Sequence, residues 1–71
     1  MSEAVYKVVE IIGTSPESWE KAAAMAVERA SKTLRDLRIA EVVEQDLVIT
    51  AGKVEAFRTK LKLSFKYEDA N

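Results

Sequence analysis

The 71-residue sequence predicts an α+β domain with the element order βαββ, and three observations lead there. A β-branched run opens the chain at Ala4–Ile12. An amphipathic stretch with apolar residues three and four apart follows over Pro16–Leu37. Two long segments, Arg38–Thr50 and Val54–Tyr67, then flank an Ala51-Gly52-Lys53 turn. These elements do not match in length. A helix of about 21 residues rises about 32 Å, whereas a strand of about 14 residues runs about 46 Å. One helix cannot cover such a sheet, so apolar surface is left for another copy of the chain.

Each element has its own local logic. The first strand is Ala-Val-Tyr-Lys-Val-Val-Glu-Ile-Ile, with Lys7 and Glu10 on opposite faces, and Gly13 is expected to end it. Thr14-Ser15-Pro16-Glu17-Ser18 reads as a helix start, with Ser15 as N-cap, Pro16 at the first helical position and Glu17 in the first turn. Trp19, Ala22, Ala23, Ala26, Val27, Ala30, Leu34 and Leu37 form one apolar stripe. Its many alanines let the helix backbone lie close to a sheet. Glu17→Lys21 and Glu28→Lys32 are in the favourable i,i+4 order on the opposite, solvated face.

The last strand alternates cleanly. Phe57, Thr59, Leu61, Leu63, Phe65 and Tyr67 share one face, and Arg58, Lys60, Lys62, Ser64 and Lys66 share the other. The preceding strand is less regular. By simple alternation Ile39, Val43, Leu47 and Ile49 share a face with Glu41 and Gln45, while Val42 and Val48 lie opposite. Apolar residues on both faces predict burial on both, by the helix and by a neighbouring copy. Glu68–Asn71 is a polar tail, and residues 1–71 form a single domain.

Composition narrows the function. A domain this small has a marginal core without disulfides, metal or self-association. There is no cysteine and no histidine, which removes thiol chemistry, the commonest general base and the commonest transition-metal ligand. No enzyme motif is present, so a non-catalytic protein is expected. The net charge of −1 offers no field for nucleic acid. No apolar run approaches a membrane span, and the N-terminus carries no basic-then-apolar signal, so the expected location is cytoplasmic.

Four features invite a chemical reading. Gly13-Thr14-Ser15-Pro16 lacks the glycines and lysine of a phosphate loop and reads as a helix cap. Trp19 lies in the helical stripe and reads as packing rather than as a stacking platform. The basic row Arg58, Lys60, Lys62 and Lys66 would track phosphates or, more simply, pair with Glu41, Glu44 and Asp46 across the sheet. Glu44 and Asp46 share a side, roughly 6.5–7 Å apart along the strand. Converging carboxylates there would suit a hard cation such as Ca²⁺, without the loop and glycine of an EF-hand.

Several segments together resemble the dodecin family. They are Glu10-Ile11-Ile12-Gly13-Thr14-Ser15, Ala22-Ala23, Glu28-Arg29-Ala30, Ala40-Glu41-Val42-Val43 and Lys62-Leu63-Ser64-Phe65, in matching order over about residues 5–68. The resemblance implies a βαββ fold with a three-stranded antiparallel sheet partly wrapped round its single helix. It also implies a hollow homododecamer with twofold and threefold contacts, storing flavins (riboflavin or FMN) without turnover.

In that family a tryptophan opening the second strand stacks on the flavin, and a glutamine in the third strand bonds its polar edge. The corresponding positions here hold Ile39 and Arg58, with Glu41 beside them. Isoleucine offers no flat platform, and arginine only donates hydrogen bonds. Flavin binding is therefore expected to be weak or absent. The runs Gly13–Pro16, Ser18–Glu20 and Val43–Asp46 are similar to a branch of the family associated with Ca²⁺. The resemblance places no ligands, and Glu44 and Asp46 are the metal candidates from oxygen chemistry alone. The expected function is a small-ligand or cation-binding shell. A flavin-storage dodecin despite the substitutions, or a purely structural shell, are the alternatives.

Overall fold

The structure, a computed structural model, describes residues 3–67. The polar tail and the outer ends of the single domain expected for residues 1–71 lie outside the described residues. The chain runs β1 (Tyr6–Ser15), α1 (Trp19–Ala30), β2 (Leu37–Thr50) and β3 (Lys53–Lys66). The strands form one antiparallel sheet in the order β1-β3-β2, so the expected βαββ architecture is present and β3 is central.

The core is one face of β3 against the alanine stripe of α1. Ala22, Leu61 and Leu63 are the buried apolar residues among those described, with Thr59 beside them. Full burial of each leucine contributes about 1.5–3 kcal/mol. The register places Val9, Ile11, Gly13 and Ser15 of β1 on the same inner face, opposite Leu63, Leu61, Thr59 and Phe57. The two buried polar side chains among the described residues are both satisfied. Ser15 Oγ accepts from the Glu17 amide at 3.0 Å, and Thr59 Oγ1 donates to the Trp19 carbonyl at 3.0 Å.

Gly13 does not end the first strand, which continues to Ser15. Its role is close approach: a Cβ at Gly13 would lie 2.3 Å from the Ala22 carbonyl oxygen and 2.8 Å from Ala26 Cβ. The alanine stripe and the missing side chain together bring helix and sheet backbones into contact.

The helix is shorter than the expected Pro16–Leu37. Pro16 biases Ser15 toward extended backbone, so Ser15 closes β1 and holds a tight turn. The N-cap is Ser18 instead, whose hydroxyl accepts from the Lys21 amide at 3.0 Å. At the other end Ser31 caps α1 and its hydroxyl donates to the Glu28 carbonyl at 2.8 Å. Asp36 then adopts a positive φ of 59° and turns the chain into β2. Leu34 and Leu37 extend the apolar spacing but lie beyond the helix. Glu17 still pairs with Lys21 at 2.9 Å, although it precedes the first turn, where Glu20 is the acidic residue.

The facing expected for β2 is also revised. The register slips between Leu37 and Ile39, between Val42 and Glu44, and between Val48 and Ile49. The first two slips place the extra residue in β2, at Arg38 and Val43. Each resets the alternation of that strand, because one extra residue moves every following side chain to the other face. In the third the extra residue is Glu55 of β3. Ala40, Val42, Gln45 and Leu47 therefore face inward, opposite Leu63, Leu61, Thr59 and Phe57. Ile39, Glu41, Glu44 and Asp46 face outward, opposite Ser64, Lys62, Lys60 and Arg58. Within the chain β2 is an edge strand exposed along almost its whole length, because α1 lies over β1 and β3 and barely meets β2.

Candidate ligand-binding site

The outer face of the sheet carries the charged residues in register. On β3, Arg58, Lys60 and Lys62 lie opposite Asp46, Glu44 and Glu41 of β2, and Lys62 also lies opposite Glu10 of β1. Lys60 Nζ reaches Glu10 on β1 at 3.9 Å and Glu44 on β2 at 4.0 Å. Arg58 is held more firmly. Its Nε donates to Asp46 Oδ1 at 2.7 Å and its Nη2 to Oδ2 at 2.8 Å, a two-bond fork between directly opposed residues. Of the cross-strand pairing expected for the basic row, Arg58 and Lys60 thus reach Asp46 and Glu44. The hydrogen bond from Arg58 holds the Asp46 carboxyl below its ordinary value, outweighing the opposing effect of desolvation, and the positive charges of Arg58 and Lys60 add to the lowering. The same bond raises Arg58 above its own.

Trp19 braces this pair from the helix. Its indole N–H donates to the Asp46 carbonyl at 3.1 Å. Its ring meets Phe57 edge-on, with centroids 5.1 Å apart and planes at 79°. One side chain thus fixes the backbone of Asp46 and the residue preceding Arg58. Packing was expected of Trp19. The bond to a residue 27 positions away was not, since only the folded register brings them together.

The candidate flavin positions are separated. Ile39 lies opposite Ser64, six residues from Arg58 along β3, which is about 20 Å. Glu41 lies opposite Lys62, and Arg58 pairs with Asp46 rather than with Glu41. A single chain therefore does not gather Ile39, Glu41 and Arg58 around one ring. Ile39 is 64% exposed and offers an uncovered apolar surface on the outer face.

A second opening lies on the inner side, where α1 fails to cover β2. This groove, of about 530 Å³, runs between Ala23, Ala24 and Val27 of the helix and Ala40, Val42 and Leu61 of the sheet, with Glu20 and Glu28 at its edge. Its uncovered Val42 is 51% exposed.

A 12-residue helix of about 18 Å against strands of about 46 Å defines a class of protein: a small βαββ subunit with more sheet than its helix can cover. The chain belongs to the dodecin family, whose model matches residues 5–68. It is 55% identical over 67 residues to the calcium dodecin of Mycobacterium tuberculosis, covering 93% of each chain. It is 42% identical over 65 residues to the dodecin of Thermus thermophilus, covering 92% of this chain and 94% of that one. Among solved structures, the dodecin of Streptomyces coelicolor matches with a TM-score of 0.91 at 41% identity, over 99% of this chain and 100% of that one. The M. tuberculosis calcium dodecin, described as a calcium-chelating antigen with a novel calcium-binding site, matches with a TM-score of 0.81 at 51% identity. That match covers 96% of this chain and 97% of that one.

The candidate metal and flavin residues do not converge within one copy among the described residues. Both carboxylate oxygens of Asp46 are taken by Arg58, and Glu44 leans toward Lys60. No group of three or more potential metal-binding acidic side chains converges among the described residues. The flavin positions Ile39 on β2 and Arg58 on β3, being some 20 Å apart along the strand direction, do not form a ring-binding pocket within the chain.

Proposed function

We propose that the chain is the subunit of a non-catalytic homododecamer, a ligand-binding shell of dodecin type in which the flavin site has been remodelled. Copies of the chain bring together positions that one copy keeps apart, around twofold and threefold contacts. Flavin binds weakly or not at all, because Ile39 gives no stacking plane and Arg58 is committed to Asp46. The two-bond Arg58–Asp46 fork is the observation that carries this reading. It occupies the group that would have to meet the flavin edge, and arginine cannot accept a hydrogen bond there.

A hard cation such as Ca²⁺ is the favoured cargo, gathered by carboxylates of adjoining copies. Glu44 is the better donor, since its hold on Lys60 is long at 4.0 Å and its side chain is 68% exposed. Asp46 contributes only where its pair with Arg58 opens. The high identity to a protein named calcium dodecin supports this choice of cargo. The shell works inside the cytoplasm on this reading, with no nucleic-acid or membrane partner.

The test restores the two family residues. Ile39→Trp combined with Arg58→Gln should raise riboflavin affinity by at least tenfold, read by quenching of flavin fluorescence. Unchanged affinity in a variant of normal assembly mass would show that the pocket differs beyond these two positions. Calorimetry with Ca²⁺ at physiological salt tests the cargo, and heat no greater than buffer dilution would remove it.

A further inference from the structure

The inner face of the sheet outruns the helix at the end where the chain enters β2. α1 stops at Ala30, and residues 31–36 cross the gap before Leu37 pairs opposite Phe65. A cavity of about 250 Å³ is left there, lined by Lys7, Arg35, Asp36, Phe65, Lys66 and Tyr67. Phe65 is half-buried and lies between Lys7 of β1 and Leu37 of β2 in the register, so it supplies an apolar wall. The surrounding backbone is tied down. The Tyr67 amide donates to the Val5 carbonyl at 2.7 Å, which holds the end of β3 beside β1. The Leu34 and Thr33 amides both donate to the Ala30 carbonyl, at 2.9 and 3.1 Å, so Arg35 follows a fixed turn.

Charge sets this cavity apart. Three of its lining residues are cationic and one is acidic, an excess of two positive charges in a chain whose net charge is −1. Lys7, Arg35 and Lys66 make no ion pair among the described residues, whereas Arg58 and Lys60 each meet a carboxylate. The one carboxylate at the cavity, Asp36, leans toward Arg38 at 4.0 Å. Like charges gathered in a concave site attract a counter-ion more strongly than the same charges spread over a flat surface.

We propose that this cavity binds a phosphomonoester in its dianionic form. The dianion offsets the two excess charges, and its three acceptor oxygens match the donors of Arg35, Lys7 and Lys66. A carboxylate brings half that charge. The organic part of the ester lies against Phe65 and Tyr67. The site is separate from the ladder of Arg58 and Lys60 on the outer face, and it does not depend on flavin or Ca²⁺ binding.

Phenyl phosphate is the probe, titrated by calorimetry into the intact assembly at physiological salt. It should bind saturably and more tightly than inorganic phosphate or benzoate, each of which lacks one half of the match. Its affinity should rise between about pH 5 and pH 7, as the phosphate loses its second proton near pH 6. Lys7→Gln with Arg35→Gln should weaken binding by at least about tenfold at unchanged assembly mass, the range of one lost hydrogen bond to a charged group. Lys32→Gln with Lys53→Gln removes the same charge outside the cavity and should leave binding unchanged. Lys66→Gln alone serves where the first double variant fails to assemble. No saturable binding by wild type, an affinity flat with pH, or equal losses in the two double variants would overturn the proposal. Glu68 and Asp69 lie outside the described residues. Binding that appears only in Glu68→Gln with Asp69→Asn would also overturn it, by showing that the chain fills its own cavity.

Discussion

Gly13 shows how much one missing side chain decides here. The Ala22 carbonyl occupies the space a Cβ would need, and that carbonyl belongs to the helix backbone, which cannot swing aside. Gly13→Ala should cost about 2–3 kcal/mol by forcing helix and sheet apart. A urea midpoint at fixed protein concentration measures it, and a shift under about 0.5 kcal/mol would show that the two layers separate freely. Asp46 and Arg58 work at the same scale with different physics. Their pairing is exposed, so its importance lies in which group it occupies rather than in stability.

The β2–β3 hairpin and the ends of α1 show what elements add to residues. Thr50 and Lys53 close a two-residue turn in which Ala51 and Gly52 have φ of 52° and 75°. That is the pattern of a type I′ turn, where both central residues take positive φ. Gly52 is at ease there, whereas Ala51 bears the Cβ clash of the left-handed region. Ala51→Asn should therefore stabilise the protein by about 0.5–1 kcal/mol, seen as a higher urea midpoint. A lower midpoint would mean the turn differs from this one.

Much of this was legible in the chain. The clean alternation of Phe57–Phe65, the alanine stripe and Gly52 each announce their element through a short-range pattern. The expected turn Ala51-Gly52-Lys53 is nonetheless one residue too long, since Lys53 already pairs in β3. The helix start was misplaced at Ser15, because Pro16 holds its predecessor in the extended backbone of β1 and Ser18 is the cap instead. The β2 facing was hidden for a different reason. A bulge is set by pairing with another strand, so alternation in β2 alone cannot reveal where the count resets. The Trp19–Asp46 bond is likewise a product of tertiary register, and no local signal marks it. Family resemblance supplied the candidate positions Ile39 and Arg58, but not the six-residue offset that separates them on the sheet.

The whole molecule is defined by what it leaves uncovered. It extends 53 × 20 × 17 Å, and its helix spans only about a third of the long axis. Ile39 and Ile49 are each 64% exposed, and Val42 stands open beside the groove between α1 and β2. Surface of this kind on a small domain is completed by association. Val42→Asp is tolerable in a lone chain, where the side chain reaches water, but would bury an unpaired carboxylate between copies. Size-exclusion chromatography with light scattering should show it shifted to smaller species while the circular-dichroism spectrum is kept. A full-size assembly would place Val42 outside the contacts.

The most direct measurement is native mass spectrometry of the purified protein, gentle enough to retain bound ligands. The account predicts a particle of twelve 7.9 kDa chains carrying no flavin, with added mass from metal when Ca²⁺ is supplied. A monomer, or a twelve-chain particle loaded with flavin, would contradict it.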